Sequence, residues 1–240
     1  MTIDSEKCTG CGRCAPYCPV GAISVEEVAS ICLDECVECG NCLRSGQCPA
    51  DAIYLQELGW PRAVRRLLSD PLTITEEAGI AGRGTEEMKT NDVTGRFKRG
   101  EAGVGIEIGR PILGCRFRDV EKVAMAAARL GVEFETQNPT TSLMADRRTG
   151  KFREDILDEK VLSAIIEFPV PIERLGELLQ VLEQAAEEID TVFSLSLASR
   201  VNPDGSIPTD PVLDEAGIRH APNGKTNVGL GRPPYREKLP

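Results

Sequence analysis

Cys8-Thr9-Gly10-Cys11-Gly12-Arg13-Cys14-Ala15-Pro16-Tyr17-Cys18-Pro19 is the stretch whose reading decides the fold. It returns downstream as Cys36-x2-Cys39-x2-Cys42-x5-Cys48-Pro49. The two runs align as an internal repeat: Gly12 matches Gly40, and Ala22-Ile23 matches Ala52-Ile53. The offset is 28 residues at the first three cysteines and 30 at the fourth, so the second copy carries a two-residue insertion. Nine of the ten cysteines fall within Cys8–Cys48, and Cys115 stands alone. The first residues, Met1 to Lys7, have neither the basic nor the apolar region of a secretory signal. A reducing, cytoplasmic home is therefore expected. There, crowded thiols bind metal more often than they form disulfides.

Spacing chooses the metal. A structural zinc site closes tetrahedrally on paired C-x2-C ligands. Here three thiols recur at x2-x2 in each copy, followed by a more distant fourth, the pattern of a [4Fe–4S] cubane. In a two-cluster arrangement the fourth cysteine of each run serves the other cluster. The expected ligands are thus Cys8, Cys11, Cys14 and Cys48 for the first cluster, and Cys36, Cys39, Cys42 and Cys18 for the second. Pro19 and Pro49 turn the chain away after the fourth ligand. Thr9, Gly10, Gly12, Gly40 and Asn41 are small enough to let backbone N–H groups approach the inorganic sulfides. Two metal clips also stabilise a segment too short to bury an adequate core.

These residues resemble the bacterial two-[4Fe–4S] ferredoxins over residues 1–58. The resemblance implies a pair of [4Fe–4S] clusters and one-electron transfer. The x5 gap before Cys48 departs from the x3 of the simplest members and leaves the path of Arg44–Gln47 open. Cys32 reads as a buried free thiol, with a substitute ligand for Cys36 or a redox-active thiol as the alternative. A Rieske centre needs two histidines, and His220 is the only one. Residues 1–58 carry nine acidic and three basic side chains, a net of −6, which suits steering toward a basic patch on a redox partner.

The whole chain is also acidic, with 28 Lys and Arg against 38 Asp and Glu in 240 residues. Nucleic acid and acidic membrane surfaces need a basic footprint and are excluded as main partners. No apolar run is long enough for a membrane-spanning helix. Beyond the cysteines, residues 59–102 read as a short helix with Pro61 at its first position, then a glycine-rich connection. Arg62, Arg65 and Arg66 read as a solvated helix face, with a partner-facing patch as the alternative. Gly103, Gly105 and Gly109 lack the order of a phosphate-binding loop.

Residues 103–200 read as a second domain. A strand is expected at Val104–Ile108, a helix at Asp119–Leu130 and a strand at Val132–Thr136. Further strands are expected at Leu143–Ala145 and Val161–Phe168, then a helix at Ile172–Ile189 and a strand at Thr191–Ala198. That order is the β-α-β-β-α-β sandwich of the ferredoxin-like fold. The expected class is α+β: an N-terminal two-cluster domain, this sandwich, and an extended proline-rich C-terminal arm over 201–240. Ile165 to Leu179 looks like the strand-to-helix passage of an ACT-type regulatory domain, which implies a metabolite pocket or a homo-oligomer contact. Arg83 to Arg96 looks like a segment of 6-hydroxynicotinate reductase-type iron–sulfur proteins, which implies kinship with anaerobic reductases of heterocyclic or aromatic substrates.

No acid–base or nucleophile constellation accompanies the cysteines, so no catalytic residue is expected. The leading function is electron transfer to or from a catalytic oxidoreductase subunit. A reductase component acting on a small ring comes second, and a metabolite-sensing redox protein third. Cys115 reads as core and His220 as surface.

Overall fold

The computed structural model describes residues 1–74, 95–110 and 114–219. Its head is built by the repeat. Strand β1 (Thr2–Ile3) and strand β3 (Ala29–Ile31) each lead into a cysteine loop. Strand β2 (Ile23–Val25) and strand β4 (Ile53–Tyr54) each follow a Cys-Pro turn. β1 pairs antiparallel with β4, and β2 with β3, so both pairs join one copy to the other. A short 3-10 turn at Ala15–Tyr17 in the first copy corresponds to helix α1 (Asn41–Arg44) in the second. The inserted residues lengthen that turn without moving the strands.

Two positions show how far the copies match. Gly10 has φ +67°, and the equivalent residue of the second copy, Glu38, has φ +58°. Gly21 has φ +65°, and its equivalent, Asp51, has φ +47°. A left-handed backbone costs a non-glycine residue about 1–2 kcal/mol. Glu38 bears that cost while fully buried, because its carboxylate is surrounded by cations. Arg62 donates to it at 2.7 and 3.0 Å, Arg66 lies at 3.8 Å, and the Met1 amino group is also bonded to it.

Helix α2 (Ala63–Ser69) joins the head to the rest. Pro61 lies just before it rather than at its first position, in a cis peptide with Trp60. Val64 and Leu68 turn toward the larger core. The arginine face expected to be solvated is not. Arg65 is 3% exposed, and Arg62 and Arg66 bind Glu38. Periodicity places these residues on a helix but cannot say what lies opposite.

The larger core belongs to strand β5 (Glu101–Ile108), strand β10 (Ala164–Pro171) and strand β11 (Phe193–Ser199), in sheet order β10-β5-β11. Ala102, Val104, Ile106 and Ile108 alternate onto one face of β5, and Ala164, Ile166, Phe168 and Val170 onto the same face of β10. Helix α3 (Phe117–Ala128) and helix α4 (Leu175–Glu187) cover that face with Val120, Val123, Ala124, Leu175, Leu178 and Leu182. On the opposite face Gly103 lies under the Phe97 ring, where a Cβ would come within 2.3 Å of it. Gly103 therefore serves close packing, with Gly105 beside it in the same strand.

The protein is α+β, with strands and helices in the expected chain order, but one strand of the expected sandwich is missing. β5 lies between β10 and β11 and runs antiparallel to both, the places the expected fold gives its first, third and fourth strands. Residues 132–136 form no strand, and Glu135 makes a single backbone bond to Glu167 at 2.8 Å. The chain turns away just beyond, where Asn138 Oδ1 accepts from the N–H groups of Thr140 and Thr141. Such a side chain competes with the sheet for backbone donors.

Strand β7 (Met144–Asp146) pairs with strand β8 (Lys151–Phe152) as a hairpin against α3, not with the 161–168 segment. That segment splits into strand β9 (Lys160–Val161), paired with strand β6 (Cys115–Arg116), and β10. The arm is also corrected. Pro211 opens helix α5 (Asp210–Glu215), which buries Leu213 in the larger core. His220 and Arg83–Thr94 lie outside the described residues. No helix among the described residues is long and apolar enough to cross a membrane.

Candidate metal centre

Two cavities lie in the head, each lined by four cysteines. Cys8, Cys11, Cys14 and Cys48 line one, together with Ile3, Ala29 and Ile53. Cys18, Cys36, Cys39 and Cys42 line the other, together with Val20, Ile23 and Val37. The chain thus delivers the fourth cysteine of each run to the cavity of the other run. The paired strands bring this about: β1–β4 carries Cys48 back toward the first loop, and β2 carries Cys18 toward the second.

None of the ten cysteines, all among the described residues, is bonded to another. Among the described residues no group of three or more His, Cys, Asp or Glu side chains is placed to hold a single metal ion. The thiols stand around room for a polynuclear group, with apolar walls and sulfur donors only. Backbone donors are already aimed at sulfur. Ala29 N–H donates to Cys8 Sγ at 3.3 Å, Ala22 N–H to Cys18 Sγ at 3.1 Å, and Ala52 N–H to Cys48 Sγ at 3.2 Å. Both fourth cysteines receive their bond from the residue four positions on, the equivalent alanine of each copy. A [4Fe–4S] group fits this donor set, since N–H bonds to sulfur stabilise the charge it brings.

The two quartets differ in burial. Cys11 is exposed, Cys8 and Cys48 are half-buried and Cys14 is buried, whereas Cys36, Cys39 and Cys42 are all buried and Cys18 is half-buried. Burial pushes the Cys42 thiol up to about 11, and the neighbouring Cys39, Cys36 and Cys18 add to the shift. Cys36 and Cys39 are raised for the same leading reason. At the surface, the Arg13 backbone N–H leads the effects that lower the Cys11 thiol. Metal binding must displace these protons.

Cys32 is exposed rather than buried and lines neither cavity. It sits at the end of a strand whose inward position is taken by Ile31, so alternation turns it outward. Cys115 is core, as expected. The sequence reading missed Glu38 and Arg65. The only trace of Glu38 was its place opposite Gly10 in the repeat.

Gly10 makes a local test. A Cβ there would lie 2.2 Å from the Glu27 carbonyl oxygen, in a left-handed backbone. Gly10→Ala is expected to cost at least about 1 kcal/mol from the backbone alone and to push the Glu26–Val28 turn away. That movement withdraws Ala29 N–H from Cys8. Iron bound by the first quartet should fall while that of the second persists, as read by iron analysis and EPR of the reduced protein.

The 4Fe-4S binding domain family matches residues 1–24. A ferredoxin-like protein in the vnf region of Azotobacter chroococcum is 42% identical over 57 residues, 21% of this chain and 85% of that protein. An uncharacterized ferredoxin of Methanocaldococcus jannaschii is 37% identical over 59 residues, 23% of this chain and 77% of that protein. Ferredoxin-1 of Rhodobacter capsulatus is 50% identical over 40 residues, 16% of this chain and 62% of that protein. No solved structure matches the chain. Through its N-terminal part the chain belongs to the 4Fe-4S ferredoxin family and is an iron–sulfur electron carrier of the ferredoxin type.

Proposed function

We propose that the chain carries two [4Fe–4S] clusters and passes single electrons between a redox partner and a catalytic oxidoreductase subunit. The observation that carries this reading is the pair of four-thiol cavities, each closed by a cysteine from the other run. When bound, each cubane supplies reversible one-electron chemistry at a potential set by its surroundings. The chain's own residues hold, insulate and orient. Cys8, Cys11, Cys14 and Cys48 hold the outer cluster, and Cys11 leaves its edge open to solvent. Cys36, Cys39, Cys42 and Cys18 hold the inner one, behind Val20, Ile31 and Val37.

Charge gives the carrier a direction. Of the nine acids of the head, Asp34, Glu35 and Glu38 are engaged by Arg62, Arg66, Arg116 and Lys160 of the same chain. The basic patch that meets this side of the head is thus intramolecular. Glu6, Glu26, Glu27 and Asp51 stay exposed, and the Glu26–Val28 turn lies against the loop of the outer quartet. An external partner with basic character would approach there.

The test is anaerobic purification with iron and sulfide analysis, followed by EPR at graded potentials. About eight irons per chain and two interacting signals support the reading. Iron for a single cubane, or colourless reconstituted protein, defeats it. A reductase role for the same chain predicts oxidation of the reduced protein by a ring substrate with no partner present.

A further inference from the structure

The loop Leu33–Cys36, which leads into the inner quartet, is held from outside the head. Arg65 lies almost wholly buried against it. Its Nη1 donates to the Leu33 carbonyl at 3.1 Å, to the Asp34 carbonyl at 2.7 Å and to the Cys36 carbonyl at 2.9 Å. Its Nε is bonded to Glu159, which precedes β9. Arg116 reaches Asp34 at 2.7 Å and Glu35 at 3.2 Å, and Lys160 also binds Glu35. Ser69, at the end of α2, accepts from Leu162 N–H at 2.9 Å. The outer loop is braced differently, by Ala29 and the Glu26–Val28 turn within the head.

We infer that Arg65 is a positioning residue for the inner cysteine loop, through which the part of the chain beyond residue 100 controls how firmly the inner cluster is held. The inference rests on the two-cluster reading above. Its physical basis is one rigid guanidinium plane whose Nη1 faces three carbonyls while its Nε holds Glu159, two separated donors that a single ammonium cannot reproduce. A trans peptide points its N–H opposite to its C=O, so holding the Cys36 carbonyl also fixes the Val37 N–H. Val37 lines the inner cavity. Glu159 in turn fixes the guanidinium, so a displacement of β9 relative to α2 is transmitted to the first ligand of the inner quartet.

The experiment follows iron release to a chelator from the intact, loaded protein, with hydrogen exchange measured in parallel. Wild type should release iron in two phases, fast from the exposed quartet and slow from the buried one. Arg65→Met should accelerate the slow phase about 10-fold or more and leave the fast phase unchanged, the size typical of losing a partner behind a ligand. Exchange over residues 33–37 should rise while that over 8–14 does not. Arg65→Lys should fall between Arg65→Met and wild type. A slow phase unchanged in Arg65→Met, or both phases accelerated alike, overturns the inference. Should Arg65→Met fail to fold, Glu159→Gln carries the same expectations, and an unchanged slow phase there overturns it equally. Release in one phase from a wild type holding one cubane's worth of iron sinks the two-cluster reading instead. The exchange over 33–37 then still decides on Arg65.

Discussion

Cys48→Ala is expected to strip iron from the cavity of Cys8, Cys11 and Cys14 and to leave the cubane of Cys36, Cys39, Cys42 and Cys18 in place. About half of the iron should go. The surviving cluster should be the buried one and lose its colour slowly in air. Cys18→Ala should do the reverse: the buried quartet loses its fourth sulfur, and the survivor sits beside exposed Cys11 and bleaches quickly. The pairing of variant with air stability is what makes the test sharp. If each run kept its own fourth cysteine, Cys48→Ala would spare the exposed cluster and the two bleaching rates would be exchanged. The measurement is iron content with absorbance decay in aerated buffer. Exchanged rates would refute the interleaved arrangement, and intact iron in both variants would refute the ligand sets altogether.

Phe168→Ala is the second large effect. Phe168 is buried at the centre of the larger core, and its ring meets Phe134 edge-on at 5.7 Å between centroids. Loss of a buried phenyl ring costs about 3–5 kcal/mol, a large share of the about 5–15 kcal/mol that holds a typical domain together. The denaturation midpoint followed by far-UV circular dichroism should fall accordingly. The cluster signals in native buffer should not change, because the head has a separate core of Met1, Ala22, Ala29, Ile53 and the cysteines. Loss of both clusters in native buffer would show that the two cores form one cooperative unit. That outcome would contradict the separate packing of the two apolar cores, which meet through the polar bonds of Arg65, Arg116 and Lys160.

Legibility in the sequence varied with the range of the interaction. The cysteine runs were readable because ligand spacing is a local property and the repeat supplied two copies of it. The helices at Phe117–Ala128 and Leu175–Glu187 and the strands at 101–108, 164–171 and 193–199 were readable within a few residues, because each has an apolar face of its own period. The pairing of the short strands was not: Met144–Asp146 meets Lys151–Phe152 rather than 161–168. An alternating segment carries no mark of which neighbour it will meet or in which direction. Val132–Thr136 shows a strand pattern, yet the Asn138 turn takes the chain off the sheet.

Arg65 and Glu38 show the other limit. On a helix wheel Arg65 is one of three surface arginines, and in the repeat Glu38 is an acidic residue between two ligands. Their roles arise where segments far apart in the chain meet, and nothing within either segment records that meeting.

The sequence by itself determined the chemistry of the head: eight thiols in two spaced sets, small residues between them, and a proline after each fourth ligand. Tertiary structure alone decided that one set lies deeper than the other. It also decided that the deeper set is held by Arg65, Arg116 and Lys160. The reason is physical. Spacing constrains atoms a few bonds apart, whereas burial and ion pairing depend on which distant surfaces exclude water from one another.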